Sequence, residues 1–387
     1  MMKGVNRMKR RVWCGLDRID TADRLLGSGR IGLMTAPCGI DHSLNSAVDI
    51  VMGRYKLSAL FACEHGIRGD VQAGVEVPTH KDPQTGVPVF SLYGQTRRLT
   101  EEMLDTFDIF LYDLQCVGVR HWTFLYSLAY AMEDCAKAGK PLVVLDRLNP
   151  IGADRVCGTV IKPAFQSFVG GYGLATRHGL TMGEYALYVR DFLRLDLDLT
   201  VVPLAGYERH LYLDDTDSPW AAPSPNCATL HAALCYPGTC MFEGSNVSEG
   251  RGTTLPFELI GAPWIDGREL EARMARKDLP GLRFRRASFV PAFSKHRGEV
   301  CHGVQMHITG RGEAQEVLGA LVLMDEIRAL APDRFQFLSD GSGNYFIDRL
   351  LGTDEYRLGL SGQELIGKHL PEVRAFRECS QAFHLYQ

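Results

Sequence analysis

The sequence predicts an α/β fold, in which a Rossmann-like, doubly wound parallel sheet is followed by a second, smaller α+β domain at the C-terminus. Short apolar runs alternate with helical stretches through the first two thirds of the 387 residues. The apolar runs have no polar face, which is typical of parallel strands covered by helices on both sides. The last third changes to a helix–strand–strand–helix order.

Five buried strands are predicted in the first domain, at residues 30–36, 57–63, 87–93, 109–113 and 141–146. A helix is predicted over residues 43–55, where apolar side chains recur at helical spacing. A second helix is predicted over residues 123–138, which are rich in Leu, Ala and Met, and Gly139 is placed to end it.

The second domain is predicted to begin near Ile260, which divides the chain into domains 1–260 and 261–387. Its elements are a helix at 267–277, strands at 281–289 and 299–309, and a long helix at 314–331. Two domains agree with a length of about 150 residues per domain. The segment 219–256 is rich in Gly, Pro, Ser and Asn and has little periodicity, and such a long irregular connection is more often functional than idle.

Composition and charge limit the class of protein. Hydrophobic residues make up 45% and charged residues 23%, which is typical of a globular protein and excludes extensive disorder. Lys and Arg number 42 against 46 Asp and Glu, for a net charge of −4, which disfavours a nucleic-acid protein held by phosphate contacts. Eleven cysteines without a CxxC pair favour reduced thiols and a cytoplasmic protein. We expect no signal peptide and no membrane span, because no long apolar stretch occurs.

Carboxylates follow three of the predicted strands directly. Glu64, Asp113 and Asp146 each stand at the carboxyl end of a strand, and these ends form the ligand crevice of an open parallel sheet. The sequence therefore predicts a site at this edge. The alternative for each acid taken singly is that it caps the turn or helix that follows.

Glu64 is the predicted general acid. At the end of a buried strand, desolvation would raise the pKa of its carboxyl group, as a general acid at neutral pH requires. His65 is predicted to orient Glu64 or share its proton, and the alternative is a structural histidine. Gly66 and Gly69 bracket Arg68, so the loop after Glu64 is able to fold tightly.

Further polar residues are predicted to bind substrate. One group contains Arg177, His178 and Glu184, although the spacing of Thr181 and Glu184 equally fits a capping box at a helix N-terminus. Amides, hydroxyls and the aromatic ring of Trp220 on Gly- and Pro-rich loops suit a sugar, because such side chains make many neutral hydrogen bonds and a ring stacks on a pyranose face. The predicted substrate-binding residues are Arg68, Gln115, Arg120, Asp146, Arg147, Asn149, Arg177, His178, Glu184, Asn226, Glu243, Asn246 and Arg251.

Several familiar cofactor and catalytic motifs are missing from the sequence. The GxGxxG pattern at residues 27–32 precedes the first strand, whereas a dinucleotide loop must follow a strand and open a helix. There is no P-loop, GxSxG elbow or HExxH motif. The spacing of His231, Cys235 and Cys240 fits no zinc site. We therefore expect neither a metal nor an organic cofactor.

Long and unusual stretches of the chain resemble the family of NamZ-type exo-β-N-acetylmuramidases. The resemblance implies a Rossmann-like catalytic domain with an auxiliary domain. It also implies release of terminal N-acetylmuramic acid (MurNAc) from the non-reducing end of peptidoglycan fragments, in cell-wall turnover and recycling. The substrate would be a MurNAc-containing disaccharide or muropeptide, and the family's proposed catalytic Glu matches Glu64. The matching stretches are 64–74 (EHGIRGDVQAG), 91–94, 108–120 (DIFLYDLQCVGVR), 145–152 (LDRLNPIG), 168–170, 177–184 (RHGLTMGE), 220–226, 243–261 (EGSNVSEGRGTTLPFELIG) and 293–298.

Two residues depart from the family pattern. Cys116 stands where the family usually has Asp, and Leu148 stands where it usually has Pro. The first departure would remove a carboxylate from the expected site edge, which leaves Asp113 as the candidate second carboxylate, with Asp146 behind it. That group would act as nucleophile or base, unless the substrate's own acetamido group attacks.

The lactyl carboxylate of MurNAc is expected to meet an arginine fork. The candidates are Arg68, Arg120, Arg147, Arg177 and Arg251. Two alternative functions remain open from the sequence. One is a non-catalytic muropeptide-binding protein, and the other is a metal-dependent hydrolase that uses Glu64, Asp113, Asp146 and His178 around Mg²⁺ or a similar ion.

Overall fold

The computed structural model describes residues 9–64, 66–69, 79–94 and 96–387, and its central element is a mixed, mostly parallel sheet of seven strands. The strands in chain order are β1 (Arg30–Thr35), β2 (Lys56–Ala62), β3 (His80–Lys81), β4 (Pro88–Ser91), β5 (Ile109–Asp113), β6 (Leu142–Leu145), β7 (Cys157–Val160), β8 (Ala175–Arg177), β9 (Leu199–Val202), β10 (Leu259–Ala262), β11 (Leu282–Phe289) and β12 (Cys301–Ile308).

The helices cover the sheet and build most of the second domain. They are α1 (Asp23–Leu26), α2 (Ala47–Arg54), α3 (Glu101–Leu104), α4 (Thr123–Ala138), α5 (Met182–Phe192), α6 (Leu230–Thr239), α7 (Gly267–Met274), α8 (Glu316–Leu330), α9 (Phe346–Leu351) and α10 (Gly362–Ser380). Turns of 3-10 helix lie at Leu16–Ala22, Pro163–Phe165, Leu213–Asp215, Cys240–Gly244 and Gln381–Phe383.

The order of the large sheet confirms the predicted fold class. The strands run β3-β4-β2-β1-β5-β6-β9, and all neighbours are parallel except the edge pair of β3 and β4. Counted among themselves, the six parallel strands lie in the order third, second, first, fourth, fifth, sixth, which is the Rossmann order. The five residues of β5 and the four of β6 are all buried, as strands covered on both faces require.

The predicted helices of the first domain are confirmed, and their ends have local causes. α4 ends at Gly139, which adopts the left-handed conformation (φ 63°) common after a helix. α2 begins four residues later than predicted, because Ser46 caps it by accepting a hydrogen bond from the amide of Asp49. Thr181 and Glu184 form the capping box of α5, with both reciprocal hydrogen bonds present.

The C-terminal part carries a small antiparallel sheet in the order β10-β12-β11, with α7 before β11 and α8 after β12. This confirms the predicted helix–strand–strand–helix order and adds β10, which pairs with β12. The chain then continues through α9 and α10, which the periodicity did not predict. The boundary near Ile260 stays a prediction.

The prediction of an irregular segment over 219–256 is wrong in one part, because α6 lies within it. Eight consecutive residues of α6, from Ala232 to Thr239, are buried, so the helix has no polar face and no amphipathic periodicity. Within the described residues, no helix is both long and apolar enough to cross a membrane.

Candidate active site

A cleft of about 1160 Å³ is lined by residues from both the Rossmann-like domain and the C-terminal part of the chain. One wall comes from the ends of β2 and β4 and the start of α4, a second from α6 and the residues around it, and a third from α9 and its flanking loops. Its polar and aromatic lining residues include Glu64, Tyr93, Arg97, His121, Thr123, Phe168, Asn226, Tyr236, Glu243, Arg251, Phe293, Asn344, Tyr345, Asp348, Arg349, Asp354 and Arg357.

Glu64 lies on this cleft with both carboxylate oxygens in hydrogen bonds. Its Oε1 accepts from the Tyr93 hydroxyl at 3.0 Å, and its Oε2 accepts from Thr123 Oγ1 at 2.7 Å. Burial and the charge of Glu64 raise the pKa of the Tyr93 hydroxyl, which therefore stays protonated and able to donate. Two donors from different elements thus fix the orientation of the Glu64 carboxyl group.

A second carboxylate, Glu243, lines the cleft beside Arg251. Arg251 Nη2 lies 3.0 Å from Glu243 Oε1, and its Nε lies 3.3 Å from Oε1 of the buried Glu249. Lys295 also contacts Glu249, at 2.8 Å. The two acids raise the pKa of Arg251 although burial opposes the shift. The charge of Arg251 is therefore largely compensated before any ligand arrives.

Asn226 offers an open amide to the cleft. The residue is buried and its backbone amide donates to Ser224 Oγ. Its side-chain amide makes no hydrogen bond to any residue that the structure describes. A neutral donor and acceptor are therefore available to a polar ligand.

The cleft brings together four of the predicted site residues, Glu64, Asn226, Glu243 and Arg251. Asn246 is close in sequence but has structural partners, since its amide donates to the carbonyl of Arg334 and accepts from the amide of Gln336. His65 lies outside the described residues.

Asp113 and Arg147 do not line the cleft, because they satisfy each other inside the fold. Arg147 Nε donates to Asp113 Oδ1 at 2.6 Å and its Nη2 donates to Oδ2 at 2.7 Å. Asp113 is fully buried, and burial raises the pKa of its carboxyl group while the Arg147 charge opposes the shift. The structure therefore does not place Asp113 beside Glu64 as a second carboxylate.

Asp146 and Glu184 also have internal partners. Asp146 accepts from the Thr181 hydroxyl, the Gly183 amide and the Tyr386 hydroxyl, and burial raises its pKa to about 6. Glu184 closes the capping box of α5 and pairs with Arg209. The capping alternative raised by the sequence accounts for the contact between Glu184 and Thr181, and Glu184 also pairs with Arg209.

The other predicted substrate-binding residues contact backbone groups or acids away from the cleft. Arg120 donates to the carbonyls of Thr159, Leu174 and Leu350, and burial lowers its pKa to about 10. The remaining contacts are Arg68 with Asp82, Gln115 with the carbonyls of Cys116 and Leu148, Asn149 with the carbonyl of Leu180, Arg177 with Glu316, and His178 with the amide of Leu180.

The two departures from the family pattern lie away from the cleft. Cys116 is buried and accepts a hydrogen bond from the Gly118 amide, and burial raises its pKa to about 12. Leu148 is buried in an apolar cluster. Among the described residues, neither Cys116 nor Leu148 lines the cleft. The cysteine at position 116 therefore does not deprive the cleft of a carboxylate.

Several cleft residues were not predicted from the sequence. Tyr93 lies in the matching stretch 91–94, and His121 and Thr123 directly follow the stretch 108–120, so proximity to a motif was their available signal. Tyr345, Arg349 and the other cleft residues around α9 had no such signal, since no motif or periodicity marks that region.

The described residues hold no group of three or more His, Cys, Asp or Glu side chains arranged to bind a metal. The four residues of the metal-dependent alternative are dispersed, since Glu64 faces the cleft while Asp113, Asp146 and His178 lie among internal partners.

Comparison with protein families gives matches over most of the chain. The N-terminal model of the exo-β-N-acetylmuramidase NamZ family matches residues 31–231, and the C-terminal model of the same family matches residues 234–386. The chain belongs to this family. The resemblance predicted from the sequence stretches is thereby confirmed.

One sequence relative and two crystal structures are also similar to this chain. A peptidoglycan β-N-acetylmuramidase NamZ from Bacillus subtilis (strain 168) is 44% identical over 98% of this chain and 92% of its own length. Two crystal structures of DUF1343 family proteins from Bacteroides fragilis have a similar fold. One has a TM-score of 0.88 at 32% identity, covering 98% of this chain and 100% of its own. The other has a TM-score of 0.75 at 27% identity, covering 97% and 99%.

Proposed function

We propose that this NamZ-family chain is a glycosidase, an exo-β-N-acetylmuramidase that releases terminal MurNAc from the non-reducing end of peptidoglycan fragments. The observation that carries the proposal is the carboxyl group of Glu64, held by Tyr93 and Thr123 on the wall of a cleft of about 1160 Å³. A cleft of this size has room for a disaccharide. The identity to the Bacillus subtilis muramidase supports the same reaction.

In the proposed reaction, Glu64 gives its proton to the glycosidic oxygen as the bond between that oxygen and the anomeric carbon breaks. The leaving sugar departs with that proton in a new hydroxyl group. The oxygen of a water molecule bonds to the anomeric carbon to give MurNAc, and the proton that this water releases goes to the carboxylates of the cleft, which restores the protonated Glu64. Glycosidases commonly pair such an acid with a second carboxylate. We assign that place to Glu243 rather than Asp113, because Glu243 lines the cleft and Asp113 is enclosed with Arg147.

The lactyl carboxylate of MurNAc needs a cationic partner, and we assign this role to Arg97, with Arg349 as a second arginine of the cleft lining. Of the five arginines expected from the sequence, only Arg251 lines the cleft, and two acids already compensate its charge. Arg97 lies over the Phe168 ring at 4.0 Å and pairs with no carboxylate of the described chain. Among the described residues, Arg349 has only a longer ion pair, 3.6 Å from Asp340. A ligand carboxylate is stabilised most by a guanidinium that does not already pair with a carboxylate of the protein.

Release of MurNAc from peptidoglycan fragments would place the enzyme in cell-wall turnover and recycling. This role follows from the proposed substrate alone, and the cytoplasmic location expected from the cysteines stays a prediction.

The decisive experiment incubates the full chain with the disaccharide MurNAc-β-1,4-GlcNAc, with and without a chelator, and identifies the products by mass spectrometry. The proposal expects free MurNAc and GlcNAc in equal amounts in both samples. Binding of the disaccharide without any product would instead support the non-catalytic alternative, and activity lost on chelation would support the metal-dependent one.

A further inference from the structure

A side pocket of about 40 Å³ adjoins the cleft next to Glu64. This volume has room for only a few atoms, too little for a pyranose ring but suited to a substituent on one. The side pocket shares Glu64, His121, Thr123, Tyr236 and Arg251 with the cleft, and its other lining residues are Trp122, Phe124, Ser224 and Phe257.

His121 lines the side pocket and has a hydrogen-bond acceptor that is unpaired among the described residues. The ring is 3% exposed, and its Nε2 lies 2.7 Å from the carbonyl oxygen of Leu350. Because a carbonyl only accepts, Nε2 carries the proton and Nδ1 keeps a lone pair. Burial, together with the charge of Arg120, lowers the pKa of His121 to about 3, so the ring is neutral. Nδ1 is buried and has no hydrogen-bond partner in the described part of the chain.

Trp122 lines the same pocket and has a hydrogen-bond donor that is unpaired within the described chain. The residue is 6% exposed, and its ring packs edge-on against Phe124 and Tyr236, with centroid distances of 5.6 and 5.5 Å. Its Nε1–H group is buried and has no acceptor among the described residues. Buried polar groups are nearly always hydrogen-bonded, so one open acceptor and one open donor in adjacent residues indicate a missing ligand.

We propose that the side pocket binds the 2-acetamido group of the terminal sugar. The amide N–H donates to His121 Nδ1, the amide carbonyl accepts from Trp122 Nε1–H, and the methyl group packs against the aromatic wall. A secondary amide has one donor and one acceptor, which matches the two open groups. The assignment rests on the proposed function, since it names how that substrate is recognised.

The test compares equilibrium binding of MurNAc with that of 3-O-lactylglucose, which carries a hydroxyl in place of the acetamido group. We expect the wild-type chain to prefer MurNAc at least about tenfold, and Trp122→Phe to lower that preference about five- to tenfold, as the loss of one hydrogen bond would. His121→Leu should lower it as well, whereas His121→Asn should retain part of it because Asn Oδ1 is able to accept. Trp264→Phe, a tryptophan outside both cavities, should leave the preference unchanged.

An unchanged preference in both Trp122→Phe and His121→Leu would overturn the assignment and leave water as the occupant of the side pocket. The proposed function is judged separately, by MurNAc release from the disaccharide. A wild-type chain that binds MurNAc through its acetamido group but releases none would contradict the proposed function and leave the side-pocket assignment standing.

Discussion

Arg97 differs from the other guanidinium groups of the cleft in its surroundings. Arg251 is flanked by Glu243 and Glu249, and Arg357 holds Asp348 with two of its nitrogens. Arg97 instead lies on an aromatic face, which orients a cation without neutralising it. This difference makes Arg97 the residue that we expect to recognise the lactyl carboxylate.

Replacing Arg97 by Ala should lower kcat/KM for a chromogenic MurNAc glycoside about tenfold or more, because a charge-assisted hydrogen bond is lost. On the same glycoside with its lactyl group as a methyl ester, which has no carboxylate for Arg97 to bind, steady-state kinetics should show equal kcat/KM for wild type and Arg97→Ala. Arg276→Ala, at an exposed position outside the cleft, is the control. An equal loss on both substrates would remove Arg97 from carboxylate recognition.

Asp113 and Glu64 both stand at the ends of buried strands, but they meet different partners in the fold. The position of Asp113 after a buried apolar run correctly places it at the carboxyl end of β5, as the same rule places Glu64 after β2. What the sequence does not reveal is the partner that each acid meets. Arg147 encloses Asp113, whereas two hydroxyl groups hold Glu64 on the cleft. Partners distant in the chain decide which strand-end acids are structural.

Asp113→Asn should therefore affect stability more than catalysis. Removing one member of a buried ion pair costs about 3–5 kcal/mol, because Arg147 is left buried without an ionised partner. Urea unfolding measures this loss, and turnover per folded molecule at low temperature should stay within a few-fold of wild type. Asp108→Asn breaks the exposed pair with Arg30 and should cost less than about 1 kcal/mol. A stable but inactive Asp113→Asn enzyme would return Asp113 to the chemistry.

At the scale of elements, the sequence predicts best where one local signal dominates. α4 and β5 are found at the predicted bounds, since Gly139 ends the helix and five buried residues form the strand. α6 was missed because it is buried on all sides. The N-terminus of α10 is marked by a capping box of Ser361 and Glu364, a feature that helical periodicity alone does not detect.

The C-terminal segment returns to the Rossmann-like sheet and contacts the residues that follow β6 and β9. The Tyr386 hydroxyl donates to the Asp146 carboxylate and accepts from the amide of Leu204. Tyr386→Phe should lower the free energy of unfolding by about 1–3 kcal/mol, because a buried carboxylate and an amide each lose a partner.

Chemical denaturation measures this change. Tyr130→Phe is the matched control, since the Tyr130 hydroxyl makes no hydrogen bond to a described residue, and it should change stability by less than about 0.5 kcal/mol. Equal stability of Tyr386→Phe and wild type would show that the segment does not stabilise the sheet through this hydroxyl.

At the scale of the whole molecule, the cleft is assembled from parts of the chain that are far apart in sequence. Glu64 comes from the Rossmann-like domain, Glu243 and Arg251 follow α6, and Arg349 and Arg357 come from α9 and the loop after it. The Rossmann rule predicts a site at the carboxyl edge of the sheet. It does not predict which C-terminal side chains close that site, because their placement depends on how the small sheet and its helices pack.

The central claim is that the carboxyl group of Glu64 donates the proton in MurNAc release. The most direct measurement is the rate of MurNAc release by Glu64→Gln from a MurNAc-terminated disaccharide, beside Glu313→Gln at an exposed position away from the cleft. Gln still hydrogen-bonds with Tyr93 and Thr123, so the unfolding midpoint should match wild type. We expect a loss of about 10²–10⁴-fold in kcat for Glu64→Gln and none for the control. A folded Glu64→Gln enzyme with wild-type turnover would contradict the account.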